Sequence, residues 1–148
     1  MIGERGPAFI ITIDVEGDNL WGKPEDIRSN NALFLPRFQE LCEKYNFFPV
    51  YLTNYEMAMS DFFVEFANDC ISRNKAEIGM HLHAWNSPPT TGEKNQYSIQ
   101  PFLIQYQKKD IVQKIDYLYN LLGDKFNVEI ISHRAGRWAI NSHYINEL

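Results

Sequence analysis

Four side chains that can bind metal ions or move protons stand in two pairs, each with one residue between its members. Asp14 and Glu16 close a β-rich segment near the start of the chain, and His81 and His83 close another. Residues two apart on a β-strand point to the same face, so each pair presents both side chains in one direction. Imidazole is a common ligand of Zn²⁺ and similar ions, and a positioned carboxylate can act as a general base. The two pairs therefore indicate metal-assisted acid–base chemistry.

The carboxylate pair admits three interpretations. In the first, Asp14 caps a turn and Glu16 is solvated, but Ile13 and Val15 favour a buried strand, where polar inward-facing positions carry a cost. In the second, one carboxylate binds a metal ion and the other is a general base. In the third, the two are the acid pair of a glycosidase, which is disfavoured because they lie too close together to flank a glycosidic bond.

The histidine pair is more informative than a single histidine, which is usually a core or surface residue. Two imidazoles on one strand face and one carboxylate supply three ligands to an ion. They leave coordination positions open for water, as catalytic metal sites do. A His-x-His strand also occurs in amidohydrolase-type metal enzymes, but this chain has no obvious further ligands for such a site. The pattern therefore favours two histidines and one carboxylate around one ion.

A third segment, residues 132–138, places two arginines around an Ala-Gly pair. It is either a solvated turn or a device that holds a guanidinium against a carboxylate base and presents backbone N–H groups to an oxyanion. Each of the three tryptophans, Trp21, Trp85 and Trp138, lies beside one of the candidate segments. Tryptophan usually serves packing, but this grouping favours a wide cleft whose flat apolar walls suit sugar rings.

Four β-rich segments alternate with helical patterns along the chain. The predicted strands cover residues 8–15, 48–53, 76–83 and 127–132. Such alternation predicts an α/β fold with a parallel sheet, either open or part of a barrel. In these folds chemistry collects where strands end and loops begin, and both candidate pairs fall at such ends.

Three helices are predicted between the strands, with apolar stripes over residues 35–45, 63–71 and 111–122. Ser60 and Asp110 are candidate N-caps and Gly123 is a candidate stop signal. A long polar stretch, residues 86–107, follows the third strand. Cys42 and Cys70 fall in the helices, and because their spacing fits neither a metal knuckle nor a disulfide framework, they are predicted to be core residues.

Composition excludes several function classes. The chain has 148 residues, 45% of them hydrophobic and 14% aromatic, and a net charge of −5; this length suits one domain. An acidic chain is not typical of proteins that bind nucleic acids or anionic membranes. Apolar runs are too short to span a membrane, and the N-terminus lacks a signal-peptide pattern, so we expect a cytoplasmic location.

Three segments, in this order, resemble the first three motifs of the polysaccharide deacetylases (carbohydrate esterase family 4, the chitooligosaccharide-deacetylase homology domain). They are TIDVEG at 12–17, EIGMHLHAW at 77–85 and RAGRW at 134–138. Each motif is short, but their order and separation are specific, and together they span most of the chain. The resemblance implies a distorted (β/α) barrel, a divalent metal ion and hydrolysis of N- or O-acetyl groups on carbohydrate.

The resemblance assigns roles to the matching positions. Asp14 matches the family's catalytic base, and Arg134 matches the arginine that orients that base. Glu16 matches the metal carboxylate, and His81 matches the first metal histidine.

The chain departs from the family pattern at three points. The metal carboxylate is usually aspartate, so Glu16 is one methylene longer. The second metal histidine usually stands four positions after the first, where this chain has Trp85, and His83 on the same strand face is the available ligand. The later motifs, which supply an apolar pocket and the histidine that acts as general acid, have no counterpart, and His133 and His143 are the only other histidines.

These inferences predict a metal-dependent hydrolase that removes acetyl groups from a sugar or polysaccharide. Zn²⁺ is the expected ion, with Co²⁺, Ni²⁺, Fe²⁺ and Mn²⁺ as alternatives, and Trp85, Gly136 and Trp138 are expected to contact substrate. The alternative is a non-catalytic sugar-binding or structural domain that keeps part of the cleft. A complete (β/α) barrel takes about 250 residues, so residues 1–148 are expected to form the N-terminal portion of one, or to cover an open sheet edge by self-association.

Overall fold

The strands form one parallel sheet. The computed structural model describes residues 8–22, 27–90 and 100–148. In order across the sheet the strands are β1 (Thr12–Val15), β2 (Val50–Thr53), β3 (Glu77–Leu82) and β4 (His133–Ala135). The sheet curls into a half-barrel. This confirms the predicted α/β class with a parallel sheet and is consistent with a partial (β/α) barrel.

Helices connect successive strands, as parallel pairing requires. In the described residues the connecting helices are α1 (Leu35–Lys44), α2 (Tyr55–Ala58), α3 (Asp61–Ser72) and α4 (Lys108–Phe126), and α5 (Ser142–Ile145) follows β4. Short 3₁₀ turns lie at Leu20–Gly22, Asn30–Phe34, Leu103–Gln105 and Gly136–Trp138. The apolar faces of α3 and α4 join the strands in one core, as their stripes predict. Among the described residues, no helix is both long and apolar enough to cross a membrane. Part of the predicted polar stretch, residues 91–99, lies outside the described residues.

The predicted fourth strand is displaced. The sequence predicts residues 127–132, but the strand is formed by His133–Ala135. The apolar run before it buries Ile130 without pairing along β3. Only its last residue reaches that strand, since the carbonyl of Ser132 accepts a hydrogen bond from the Met80 N–H at 2.9 Å. The other strands are shorter than predicted, because pairing with a neighbour covers only part of each apolar run.

The ends of α4 also differ from the prediction. The helix begins at Lys108, so Asp110 lies in its first turn and does not cap it. It continues through Gly123 to Phe126, because Asn127, at φ 51°, supplies the left-handed residue that ends it. At α3, Ser60 occupies the predicted N-cap position, but its side chain makes no capping hydrogen bond.

Helix α1 buries fewer of its predicted apolar positions than the periodicity predicts. Leu41 is 53% exposed, and Tyr45, just past the end of the helix, is exposed as well. The polar Gln39 is buried instead, since its amide hydrogen-bonds the Lys75 carbonyl and its oxygen accepts from the hydroxyl of Tyr51. The predicted core cysteines are both buried and unpaired.

The described sheet has two edges without a partner strand, one at β1 and one at β4. Phe9 and Ile10 beside β1 and Ile131 beside β4 are all more than 70% exposed. Unpaired edges of this kind are surfaces to which a further strand can add.

Candidate metal centre

Strand pairing brings the candidate residues of three strands onto one face of the sheet. Asp14 pairs with Leu52, which pairs with Gly79, and two residues further along β3 His81 pairs with Arg134. Side chains two apart on a strand share a face, so Asp14, His81 and Arg134 project to the same side. The sheet thus combines the two faces that the sequence predicts to carry chemistry.

Glu16, His81 and His83 converge. Oε1 of Glu16 lies 2.8 Å from Nε2 of His81 and 2.6 Å from Nε2 of His83, and the two imidazole nitrogens are 3.0 Å apart. Both histidines are buried, whereas the Glu16 side chain is 18% exposed. The three ligand atoms are close enough together to hold one metal ion. We call these three residues the triad.

A hydrogen bond on the far side of His81 determines which of its nitrogens faces the triad. Nδ1 of His81 lies 2.9 Å from the carbonyl oxygen of Arg134, which can only accept, so Nδ1 carries the proton. In the neutral imidazole, Nε2 then presents a lone pair to the Glu16 carboxylate, which also only accepts. A proton or a cation must separate two such acceptors. Metal-bound histidines usually donate their second N–H to a carbonyl or carboxylate, so this donor set fits a divalent ion.

The protonation of the other two members agrees with this fit. Burial lowers the pKa of His83, while its hydrogen bond with Glu16 acts in the opposite direction. Burial raises the pKa of Glu16, but the hydrogen bonds and charges of the two imidazoles outweigh it and hold the pKa at about 2. Metal ions require an ionised carboxylate and neutral imidazoles; the low pKa of Glu16 favours the first of these forms and the lowered pKa of His83 favours the second.

Asp14 lies beside the triad. Its Oδ2 is 3.9 Å from Nε2 of His81, and its Oδ1 accepts a hydrogen bond from the guanidinium of Arg134. Another nitrogen of that guanidinium donates to the hydroxyl of Thr12, a contact that the sequence did not predict. Arg134 of β4 thus reaches both polar side chains of β1 and fixes the direction of the Asp14 carboxylate.

Tryptophan rings surround this arrangement. The ring centroid of Trp85 lies 4.3 Å from that of His83, and the centroid of Trp21 lies 5.8 Å from it. The guanidinium of Arg134 lies 5.0 Å from the ring of Trp138. Trp21 is 51% exposed and Trp138 is 75% exposed, so two flat apolar surfaces face solvent near the triad.

The turn that carries Trp138 has an unusual backbone. Arg137 and Trp138 have φ angles of 58° and 56°, a left-handed region that residues other than glycine seldom occupy in succession. The guanidinium of Arg137 packs against the rings of Trp21 and Phe102, at 5.3 and 4.8 Å. Strained backbone of this kind clusters at functional sites, and here it accompanies the stacking of Trp138 on Arg134.

A cavity of about 280 Å³ adjoins the carboxylates of β1. It is lined by Asp14, Glu16 and Trp21 together with mainly apolar side chains of the surrounding elements. Its size is near the lower end of the range for small-ligand pockets. The site therefore has space beside it for a small organic group.

The two remaining histidines lie away from the triad. His133 neighbours Arg134 on β4 and so points to the opposite face, where its Nε2 is hydrogen-bonded with the hydroxyl of Tyr144 at 2.8 Å. Burial, with a smaller repulsion from His81, lowers the pKa of His133 to about 4. His143 is exposed on α5. Neither is placed to protonate a group bound at the triad.

Sequence reasoning missed one acid close to the site. Glu56 lies in α2, three residues after the end of β2, and its Oε2 is buried without a hydrogen-bond partner in the described part of the chain. Burial raises the pKa of Glu56 to about 7 against the opposing effects of its own backbone and of Asn86, and the charge of Glu16 adds to the rise. Its position just beyond a buried strand is the signal that could have found it.

Glu56→Gln is expected to stabilise the metal-free protein above pH 7 and to leave its stability unchanged near pH 4. The folded protein keeps the Glu56 proton up to about pH 7, whereas the unfolded chain releases it near pH 4.5, so stability falls as the pH rises between these values. A shift of this size corresponds to about 3 kcal/mol. Urea unfolding at pH 4 and pH 8 measures the difference, and an equal effect at both values would contradict the assignment.

Gly136→Ala is expected to destabilise the protein by about 1–3 kcal/mol and to weaken metal binding. A Cβ at this position would lie 2.6 Å from the Leu82 carbonyl oxygen and 2.8 Å from Nδ1 of His83, so the imidazole must move. Gly123→Ala is the matched control, because its Cβ would meet no atom nearer than 3.7 Å. Thermal unfolding with and without Zn²⁺ measures both effects, and a Gly136→Ala protein that matches wild type would show that this close approach is unimportant.

Comparison with models of known protein families found no match, and neither did comparison with curated protein sequences. The likeness to polysaccharide deacetylases therefore rests on the three motifs.

Proposed function

We propose that this protein is a metal-dependent hydrolase that removes acetyl groups, N- or O-linked, from carbohydrate. The observation that carries the proposal is the convergence of Glu16, His81 and His83 on one point with a guanidinium-bound carboxylate, Asp14, directly beside them. An ion that activates water and polarises a carbonyl, next to a fixed base, is one arrangement by which an enzyme hydrolyses an amide or ester.

The triad residues would hold the ion, for which Zn²⁺ suits a set of two imidazoles and one carboxylate. When bound, such an ion lowers the pKa of water and polarises a carbonyl group. The hydrogen bond from His81 Nδ1 to the Arg134 carbonyl keeps Nε2 directed at the ion's position.

Asp14 is the proposed general base. Its carboxylate takes the proton of the attacking water, and the ion pair with Arg134 holds it in a fixed direction. The water oxygen forms the new bond to the acetyl carbon, and the bond from that carbon to the sugar nitrogen or oxygen breaks. Because His133 and His143 lie away from the triad, we assign to Asp14 the return of that proton to the leaving group.

The substrate sugar would lie against the exposed faces of Trp21 and Trp138. Trp85 contributes by packing against the His83 ring. The backbone N–H of Gly136, next to His83, is the proposed further donor to the developing oxyanion.

Acetate release tests this proposal. The zinc-loaded protein is incubated with N-acetylated and O-acetylated sugar oligomers, with a chelator added in a parallel sample. We expect acetate release that stops with the chelator and returns on adding Zn²⁺. No acetate from any of these substrates, with metal bound, would reject the hydrolase.

A non-catalytic sugar-binding domain is the second candidate. It is favoured by the two exposed tryptophans, since a flat ring binds a sugar without needing any ion. Oligosaccharide binding that is unchanged by a chelator, weakened by Trp138→Ala and accompanied by no acetate release would support it.

A further inference from the structure

One buried ammonium group lies outside the proposed reaction. Lys114 is in α4, on the face whose apolar residues pack in the core, and it is only 2% exposed. Burying a charged amine is costly unless hydrogen bonds compensate. A methionine would fill the same volume without this cost, so the charge itself calls for an explanation.

The hydrogen bonds of this ammonium end on the loop that follows β3. Nζ of Lys114 donates to the carbonyl oxygens of Ser87 at 2.6 Å and of Pro89 at 2.7 Å. The ring of Tyr106 lies 5.4 Å away and supplies a cation–π contact. Both hydrogen bonds are to backbone, so they hold the course of the loop whatever its side chains are.

The same loop continues directly from the metal-binding strand. The Ser87 N–H donates to the carbonyl of His83 at 3.2 Å, and Ser87 is fully buried. Trp85, between them, packs its ring against the His83 imidazole. The ammonium of Lys114 is therefore linked to the backbone of His83 through one residue, Ser87.

We propose that Lys114 is a positioning residue for the metal site: its ammonium fixes the 84–90 loop and thereby the direction of the His83 imidazole. Lys114 itself touches neither the ion's position nor the space for substrate. Only the effect on Zn²⁺ affinity rests on the proposed function. The hydrogen bonds from Lys114 to the loop are present in the metal-free protein too.

Lys114→Met tests the proposal, with Lys109→Met, an exposed lysine of the same helix, as the matched control. In the metal-free proteins, hydrogen exchange is expected to speed up at least about tenfold at the amides of 84–87, while β1 and β2 keep wild-type exchange. In the presence of Zn²⁺, the dissociation constant is expected to rise about 10–100-fold, as it does when a supporting contact of a ligand is lost. Lys114→Arg should recover part of both effects, because it restores charged donors.

The two readouts separate the two hypotheses. If wild-type protein binds no Zn²⁺, the metal site and the positioning role of Lys114 toward it are rejected, and loop exchange then decides only whether Lys114 fixes the 84–90 loop. Unchanged exchange at 84–87 in Lys114→Met overturns the positioning role, and so does faster exchange with an unchanged Zn²⁺ dissociation constant. Should Lys114→Met not fold, Lys114→Gln, which keeps a neutral donor, is measured in its place under the same criteria.

Discussion

Zn²⁺ affinity is expected to fall by more than about 100-fold when Glu16 is replaced by glutamine, since losing a supporting contact of a ligand already costs 10–100-fold. The amide keeps the shape of the side chain but removes the charge that both imidazoles face at 2.6–2.8 Å. Competition with a chromophoric chelator measures the dissociation constant. His83→Ala should produce a comparable loss.

Two controls make this result specific. His143→Ala removes an exposed histidine on α5 and should leave Zn²⁺ binding unchanged. Circular dichroism of Glu16→Gln should match wild type, because the Glu16 side chain lies at the rim of the core and its replacement has the same size. Wild-type affinity in Glu16→Gln would remove this carboxylate from the site.

Asp14→Asn is expected to lower kcat for acetate release by about 10²–10⁴-fold, the usual contribution of a general base, while zinc stays bound. The group whose ligand atoms are close enough together to hold an ion consists of Glu16, His81 and His83 and does not include Asp14, so we expect zinc to stay bound. The asparagine amide can accept a hydrogen bond from Arg134 but cannot take a proton from water. Steady-state acetate release by zinc-loaded protein measures the effect.

Asp61→Asn, on the exposed first turn of α3, is the matched control and should retain full activity. A loss of kcat in Asp14→Asn with no loss of bound zinc would distinguish a base from a ligand. Full activity in Asp14→Asn would contradict the assigned role, and loss of zinc in that variant would make Asp14 a ligand.

The faces of the strands could be predicted because the period of a β-strand is simple. Asp14 with Glu16 and His81 with His83 each share a face whatever the rest of the fold is, and parallel pairing then brings both faces together. The apolar face of α4 could also be predicted, since its core positions lie three and four residues apart.

Other features depend on contacts distant in sequence and could not be predicted. The fourth strand begins at His133 because the paired register with β3 starts there, whereas the apolar run before it is equally compatible with a strand in the sequence. Glu56 and Lys114 look like ordinary surface charges in the sequence. Their burial follows from how α2 and α4 pack against loops at the ends of β1 and β3.

Metal stoichiometry tests the metal site most directly. Wild-type protein is stripped with a chelator and dialysed against Zn²⁺. Zinc is then measured by inductively coupled plasma mass spectrometry, and the protein concentration by absorbance. We expect one zinc ion per chain in the wild type and a value near zero in Glu16→Gln at the same free zinc concentration. Wild-type protein without zinc, or equal zinc in both proteins, would contradict the claim that Glu16, His81 and His83 form a metal site.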